Sequence, residues 1–389
     1  MSNNILWLAG WYPNTLSPFD GDFIQRHARA VATINNITVL YIKKDEKQII
    51  TADIKKVVTQ IGNLTEIIIY YHPLTTGIKF LDRLLSGKKY NSIYRKTLKR
   101  LIEEKGVPEL VHVHVALNVI LQAVWLKKKY SIPLLISEHW TGYLPESKPN
   151  LNNYNHIYKG WLKKMFKEAD ALTVVSKVLG DAIQNSFKIR YQVIPNVVDT
   201  NIFYPVQKQD SSITKFIHVS LLNYQKNPHD IIEAFYLVKK QGYNFQLTIY
   251  GPGNIKLKQQ VNDKDLQEEI SFKKEVPQNI LAKDMQQSDA LILYSRYETF
   301  GCVVIEANAC GIPVIVSDIP VFREYLVENM TSIFAESNNH SALAEKIIYF
   351  INNRDIFYAT EIANYTKNIF SYEAVAQQFA AVYKKIIKK

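Results

Sequence analysis

Two glutamates and a lysine carry the first chemistry legible in this chain. Glu298 and Glu306 lie eight positions apart in residues 294–318, which read as strand, loop, helix, tight turn and strand. That spacing is close to two helical turns, so both carboxylates are expected to face one ligand lying along the helix start. A carboxylate offers two acceptor oxygens, which suits Glu306 to a ribose diol and the loop residue Glu298 to a second sugar. The amides of Phe300, Gly301 and Cys302, at the helix start, favour an anion. Lys226, at another strand-to-helix junction, supplies the point charge that a diphosphate needs. Amides for an anion beside carboxylates for hydroxyls suit a sugar nucleotide. Holding charge on a departing diphosphate is then the main electrostatic task.

The first half of the chain adds weaker candidates. Residues 10–23 form a turn-rich loop between a strand and a helix, and Gly21 permits close backbone approach. The amides of Gly21, Asp22 and Phe23 can therefore meet a phosphate or a sugar, with a plain surface turn as the alternative. His139 follows a strand next to the glycine loop at Gly142, where an imidazole can hydrogen-bond a substrate or serve the fold alone. His112 and His114 alternate onto one face of a strand, which raises a metal pair. No third ligand is near them in sequence, so the preferred reading is a buried polar histidine at a ligand edge.

Alternating strands and helices must position these residues. Strands are expected at 5–9, 37–42, 64–71, 110–115, 134–137, 171–176 and 191–194, and helices at 24–32, 119–129 and 161–168. The rhythm restarts with strands at 216–221, 245–250, 270–272, 291–294, 314–316 and 332–335. Helices accompany them from Pro228 to about Gln241, from 280 to 284 and over 303–310, 341–352 and 373–389. Gly311 and Pro313 end the helix that carries Glu306. The polar, asparagine-rich residues 145–160 read as a mobile flap. Two such halves imply two doubly wound α/β domains with a cleft between them. The boundaries read as 1–197 and 198–372, with helix 373–389 packing back on the first domain.

Bulk properties narrow the function. At 389 residues a single core is not expected. Cys302 and Cys310 are the only cysteines, so there is no disulfide framework, and a reducing, cytoplasmic setting is expected. The N-terminal residues lack a signal-peptide pattern, and no apolar run approaches the roughly 20 residues of a spanning helix. The net charge of +11 comes without a nucleic-acid motif. An anionic membrane surface, such as the inner face of the cell membrane, or an anionic lipid-linked substrate accounts for it, as does lysine used for solubility. Segment 79–105 is rich in lysine and arginine, with Phe80, Leu84, Leu85, Ile93, Tyr94 and Leu98 at helical spacing. It reads as a helix lying on an anionic membrane, or as one packed on the sheet with a solvated basic face.

With these residues in view, the chain resembles the retaining family 4 glycosyltransferases, also called glycosyl transferases group 1, of GT-B fold. Glu298 and Glu306 with Gly301, Ala307 and the Gly311, Ile312, Pro313, Val314 turn carry the likeness. Weaker matches at Gly21, His114, Ser137, His139, Ser176, Ile194, Pro195, Asn196, Lys226 and Gly251 extend it over nearly the whole chain. The resemblance implies two Rossmann-like domains facing across a cleft, the first binding acceptor and the second the nucleotide sugar. It implies that Lys226 holds the donor diphosphate, Glu298 contacts the donor sugar and Glu306 binds ribose. Gly21 with Asp22 would sit near the phosphates and His139 near the transferred sugar. Transfer would keep the anomeric configuration and need neither metal nor cofactor. Partners would be a UDP- or GDP-sugar and a glycan or lipid-linked acceptor of bacterial lipopolysaccharide or capsule synthesis. One position departs from the pattern: the family's second diphosphate cation, five residues before the lysine, is Leu221 here, with Arg296 as a candidate replacement. A sugar-nucleotide epimerase shares the architecture, and the missing arginine motivates a non-catalytic GT-B subunit as the other alternative.

Overall fold

The computed structural model describes residues 3–208 and 211–388. The chain divides into two compact units. One takes residues up to 175, 179–195 and 375 onward; the other takes 176–178 and 196–374.

The first unit is built on β1 (Asn4–Ala9), α1 (Asp22–Ala32), β2 (Asn36–Lys44), β3 (Ile54–Ile61), β4 (Leu64–Tyr71), α2 (Lys79–Lys105) and β5 (Leu110–His114). It continues through α3 (Ile120–Tyr130), β6 (Leu134–Glu138), α4 (His156–Glu168), β7 (Ala171–Val174), α5 (Lys177–Phe187) and β8 (Gln192–Val193). The strands form one sheet in the order β3-β4-β2-β1-β5-β6-β7-β8. Every pairing is parallel except β3 with β4. The central strands β5 and β6 are buried along their whole length, as strands covered by helices on both faces must be.

The second unit runs through β9 (Thr214–Val219), α6 (Pro228–Lys240), β10 (Phe245–Tyr250), α7 (Ile255–Asp263), β11 (Ile270–Lys273), α8 (Gln278–Gln286) and β12 (Ala290–Leu293). It ends with α9 (Cys302–Ala309), β13 (Val314–Ser317), α10 (Pro320–Arg323), β14 (Ser332–Ala335), α11 (His340–Asn352) and α12 (Ala359–Phe370). Its six strands are all parallel, in the order β11-β10-β9-β12-β13-β14. A last helix, α13 (Tyr372–Ile387), starts here and continues into the first unit. There it buries Val375, Phe379 and Tyr383, and the Tyr383 hydroxyl lies 2.8 Å from His112 Nδ1.

Two expectations change. Strand β3 was not foreseen, because it is an edge strand exposed on nearly every residue and so lacks a burial alternation. The polar segment 145–160 is not a bare flap. The Asn155 side chain accepts the Tyr158 amide at 2.9 Å and starts α4 at His156, while Asn150 caps a short turn before it. The asparagines that suggested mobility are helix-capping groups.

Helix α9 is apolar all round and buried from Val304 to Ala309. Its one neutral polar side chain in that run is Asn308, whose Nδ2 donates to the Ile312 and Thr331 carbonyls at 3.0 Å each. Asn308→Ala strips two buried carbonyls of their donor and is expected to lower unfolding free energy by about 2–4 kcal/mol, read by denaturant titration.

Candidate active site

Each sheet reverses its strand order once, between β1 and β5 in the first unit and between β9 and β12 in the second. Loops leaving the carboxyl ends of the two strands at such a reversal diverge to opposite faces and leave a crevice. In the second unit this rule decides everything. Phe216 and Ile217 of β9 pair with Ala290 and Leu291 of β12, so the loop after β9 and the loop after β12 emerge side by side. Lys226 ends the first loop and Glu298 lies in the second. A backbone bond from Arg296 N–H to the Gln225 carbonyl, at 2.8 Å, ties the loops together.

Lys226 Nζ donates to Glu298 Oε1. The same oxygen accepts the Ser295 hydroxyl at 2.8 Å, and Oε2 accepts Gln225 Nε2 at 3.2 Å. Glu298 is buried, and three donors balance its charge. Behind it, His218 on β9 braces the lysine loop. His218 Nδ1 donates to the Ile292 carbonyl at 2.8 Å, which leaves Nε2 to accept the Ser220 hydroxyl at 2.7 Å. Ser220 Oγ in turn accepts the Leu222 amide at 3.0 Å. Burial pushes His218 down to about 4, with the Lys226 charge adding to the effect. The imidazole therefore stays neutral beside the ammonium.

Gly301, at φ 88°, turns the chain into α9. The Phe300 ring stacks on Tyr325 at 4.7 Å, and the Tyr325 hydroxyl donates to the Phe300 carbonyl, so the residues before the helix are fixed. The Val304 amide turns back on the Gly301 carbonyl at 3.0 Å, which sets the first turn of α9 beside the loop that carries Glu298. Glu306 is buried one turn before Cys310, whose thiol is pushed up to about 12, chiefly by burial and then by the Glu306 charge. The two-turn reading of the glutamate spacing is wrong. Residues before Gly301 are not helical, and Glu298 is placed by Lys226 rather than by a shared helical face.

Leu221 is 60% exposed and makes no charge available. The guanidinium of Arg296, the candidate replacement, donates to the Asn227 and Asn338 side chains and lies 4.8 Å over the Tyr224 ring.

The remaining predicted residues gather in the first unit, at the β1/β5 reversal. The Gly10 amide donates to the His114 carbonyl at 2.8 Å, which clips the β1 exit loop to β5. Gly21 has φ 67° and caps α1; a Cβ there would lie 2.6 Å from the Trp11 backbone. Asp22 pairs with the buried Arg26 at 3.2 Å rather than pointing away from the helix. His139 is buried after β6, its ring 4.7 Å from Phe23 and 5.5–5.7 Å from His27 and His114. Burial pushes His27 down to about 3 and holds His112 and His114 well below the usual imidazole range. Glu138 accepts the Ala116 amide and the Tyr143 hydroxyl, each at 3.0 Å, and burial raises it to about 7.

Known proteins bear directly on this arrangement. The profile of "Glycosyl transferases group 1" matches residues 204–369, and that of "Glycosyltransferase Family 4" matches residues 64–202. The chain belongs to the group 1 glycosyltransferases. An uncharacterized glycosyltransferase of Methanocaldococcus jannaschii is 28% identical over 259 residues, 66% of this chain and 69% of that one. The O-antigen chain mannosyltransferase RfbU of Salmonella typhimurium is 31% identical over 204 residues, 51% of this chain and 56% of that one. Among solved structures, sucrose-phosphate synthase from Thermosynechococcus elongatus superposes with a TM-score of 0.76 at 17% identity, over 99% of both chains. The fold is GT-B: two α/β domains, each on a parallel sheet.

Within this group 1 glycosyltransferase the structure adds residues that sequence reasoning missed. Ser295 and Gln225 hold Glu298, and His27 joins the first-unit cluster. Ser295 precedes Glu298 by three residues, the spacing of a local hydroxyl–carboxylate turn, and was findable on that ground. Nothing local marks His27.

The His218 shift has a consequence for stability. Its folded value lies below its unfolded one, so the unfolded chain takes up a proton first and stability falls as pH drops from 6.5 towards 4. Between pH 6.5 and 5 this residue is expected to remove about 2 kcal/mol. Denaturant titrations across that window check it, with His218→Asn flattening the slope by that amount.

Proposed function

We propose that the protein is a retaining glycosyltransferase that moves a sugar from a UDP- or GDP-sugar to a glycan or lipid-linked acceptor in bacterial surface polysaccharide synthesis. The observation that carries this reading is the Lys226–Glu298 pair at the β9/β12 reversal, beside the start of α9. In transfer the bond from the anomeric carbon to the diphosphate breaks, and its electron pair leaves with the diphosphate. The acceptor oxygen bonds to the same carbon, and its proton passes to the departing phosphate oxygen. Lys226 and the α9 amides meet the charge that develops, so the transfer step takes no metal. Glu306 takes the ribose hydroxyls and Glu298 the donor sugar. In the first unit the Gly21–Asp22 turn and His139 serve the same reaction. The O-antigen mannosyltransferase among the relatives supports the polysaccharide class.

Helix α2 supports a lipid-linked acceptor. Its second half is anchored through Ile93, Tyr94, Leu98 and Leu101. Its first turns leave Phe80, Leu81 and Leu84 exposed among Lys79, Arg83 and Lys88, with Phe80 70% exposed. Exposed apolar side chains inside a basic face fit an anionic bilayer surface, the inner face of the cell membrane in this reading. No helix among the described residues is long and apolar enough to cross a membrane.

A thermal-shift screen of UDP-, GDP- and ADP-sugars tests the donor. A true donor at about 100 times its dissociation constant stabilises the fold by about 2.7 kcal/mol, and no shift with any of them overturns the reading. Lys226→Ala is expected to lower kcat about 100-fold, and Leu221→Arg to tighten donor binding about 10-fold by adding a second charged contact. Vesicle co-sedimentation checks α2: Phe80→Ser with Leu84→Ser should weaken binding to anionic vesicles at least about 10-fold, and added salt should weaken the native chain.

A further inference from the structure

The first unit holds a cluster of three side chains, of which the proposed sugar transfer uses only His139. His27 of α1, His114 at the end of β5 and His139 after β6 are all buried, and their donor nitrogens lie within 4.8 Å of one another. Neither ring nitrogen of the fully buried His114 has a hydrogen-bond partner. A buried polar atom left unpaired forfeits its hydration without recompense, so two on one ring are a standing penalty unless something binds there. His27 shows how the cluster is set up. Its Nε2 lies 3.2 Å from the Pro195 carbonyl, which accepts only and so fixes the proton on Nε2. The lone pair is then on Nδ1, which is buried without a hydrogen-bond partner. One nitrogen donating to a backbone carbonyl and the other presenting a lone pair is how ligating histidines are held.

The neighbouring His112 stands outside the set. Its Nδ1 faces the Tyr383 hydroxyl at 2.8 Å and its Nε2 the Ser137 hydroxyl at 2.7 Å. So engaged, it forms a wall: its ring is 4.0 Å from that of His114, which also stacks on Trp7 at 4.0 Å. These walls hold the His114 ring in place.

We propose that His27, His114 and His139 bind one borderline transition-metal ion, Zn²⁺ being the prime candidate, as a three-imidazole site with an open fourth position. An all-nitrogen donor set selects zinc, cobalt, nickel or copper and rejects magnesium and calcium, which take oxygen. Zinc–nitrogen bonds of about 2.0–2.1 Å require the donor atoms to close up by side-chain rotation to a spacing of about 3.3 Å. The ion is not a reagent in sugar transfer. Resting on the role proposed for His139 above, it withdraws that ring from the transferred sugar, so the site makes the enzyme sensitive to inhibition by zinc.

The test uses the full chain freed of metal by chelation and titrated with Co²⁺, whose tetrahedral complexes absorb visible light. One equivalent is expected to give that absorption and to be displaced by Zn²⁺. His114→Phe keeps an aromatic ring against Trp7 and removes the unpaired nitrogens, so its fold should survive, as near-ultraviolet circular dichroism would confirm. Its Co²⁺ affinity should fall by at least about 100-fold, beyond the range seen when only an outer partner of a ligand is removed. A triple variant of the exposed histidines, His156→Ala, His229→Ala and His340→Ala, should retain the signal. No absorption in the native chain, or full absorption in folded His114→Phe, overturns the site. The signal needs no substrate, so it stands or falls apart from the transferase reading. Where transfer is measurable, Zn²⁺ should slow the native enzyme and leave His114→Phe at its own metal-free rate. An intact cobalt site without zinc inhibition overturns the regulatory role.

Discussion

The adjacency of β9 and β12 is the constraint on which the Lys226–Glu298 site depends. It brings Lys226 and Glu298, 72 residues apart in sequence, into one ion pair. A buried carboxylate is tolerated only with compensation, and here a cation, a hydroxyl and an amide provide it. The pair explains the rest of the locality. His218, Ser220 and Leu222 brace one loop, Arg296 clips it to the other, and Phe300 with Tyr325 fixes the entry to α9. In the proposed transfer a diphosphate beside Lys226 would meet an ammonium whose carboxylate partner is also satisfied by Ser295 and Gln225. Lysine can therefore turn towards phosphate without leaving an uncompensated buried charge behind.

Arg296 shows why composition alone misjudges such a site. A basic residue two positions before Glu298 looks like a substitute for the cation missing at Leu221. Its guanidinium is a rigid fork, and the fork is already spent on two asparagine side chains and an aromatic face. Whether a cation can turn to a ligand depends on the partners it already has, and those are set by the fold of the loops.

Much of the architecture was legible. Strands β4, β10 and β14 fall where apolar runs placed them, because each buries a continuous apolar face, and α2 falls where periodicity placed it although only its second half is buried. Helix α7 was missed because only Leu257 and Val261 of its nine residues are buried, too weak a stripe to stand out. The glutamate pair was found for a partly mistaken reason. Helical spacing was invoked across Gly301, where a left-handed residue breaks the helix, and the carboxylates are placed by different elements. Ser295 was within reach of local pattern. His27 was not, because its neighbours arise from the β1-β5-β6 order, and strand order is a global property that no window of sequence contains.

The two units handle buried polarity in opposite ways. In the second, each oxygen of Glu298 already has a protein donor, so the buried carboxylate is satisfied within the fold. In the first, His114 is buried with no polar partner, and His27 is tautomerically fixed with its lone pair inward. Packing alone does not favour this, since apolar side chains of similar volume would fill the same space without two stranded nitrogens. His112, a few ångströms away, shows that the fold can satisfy an imidazole fully when it only has to pack one. The contrast between neighbouring rings on one strand separates a histidine that builds the domain from histidines that await a ligand.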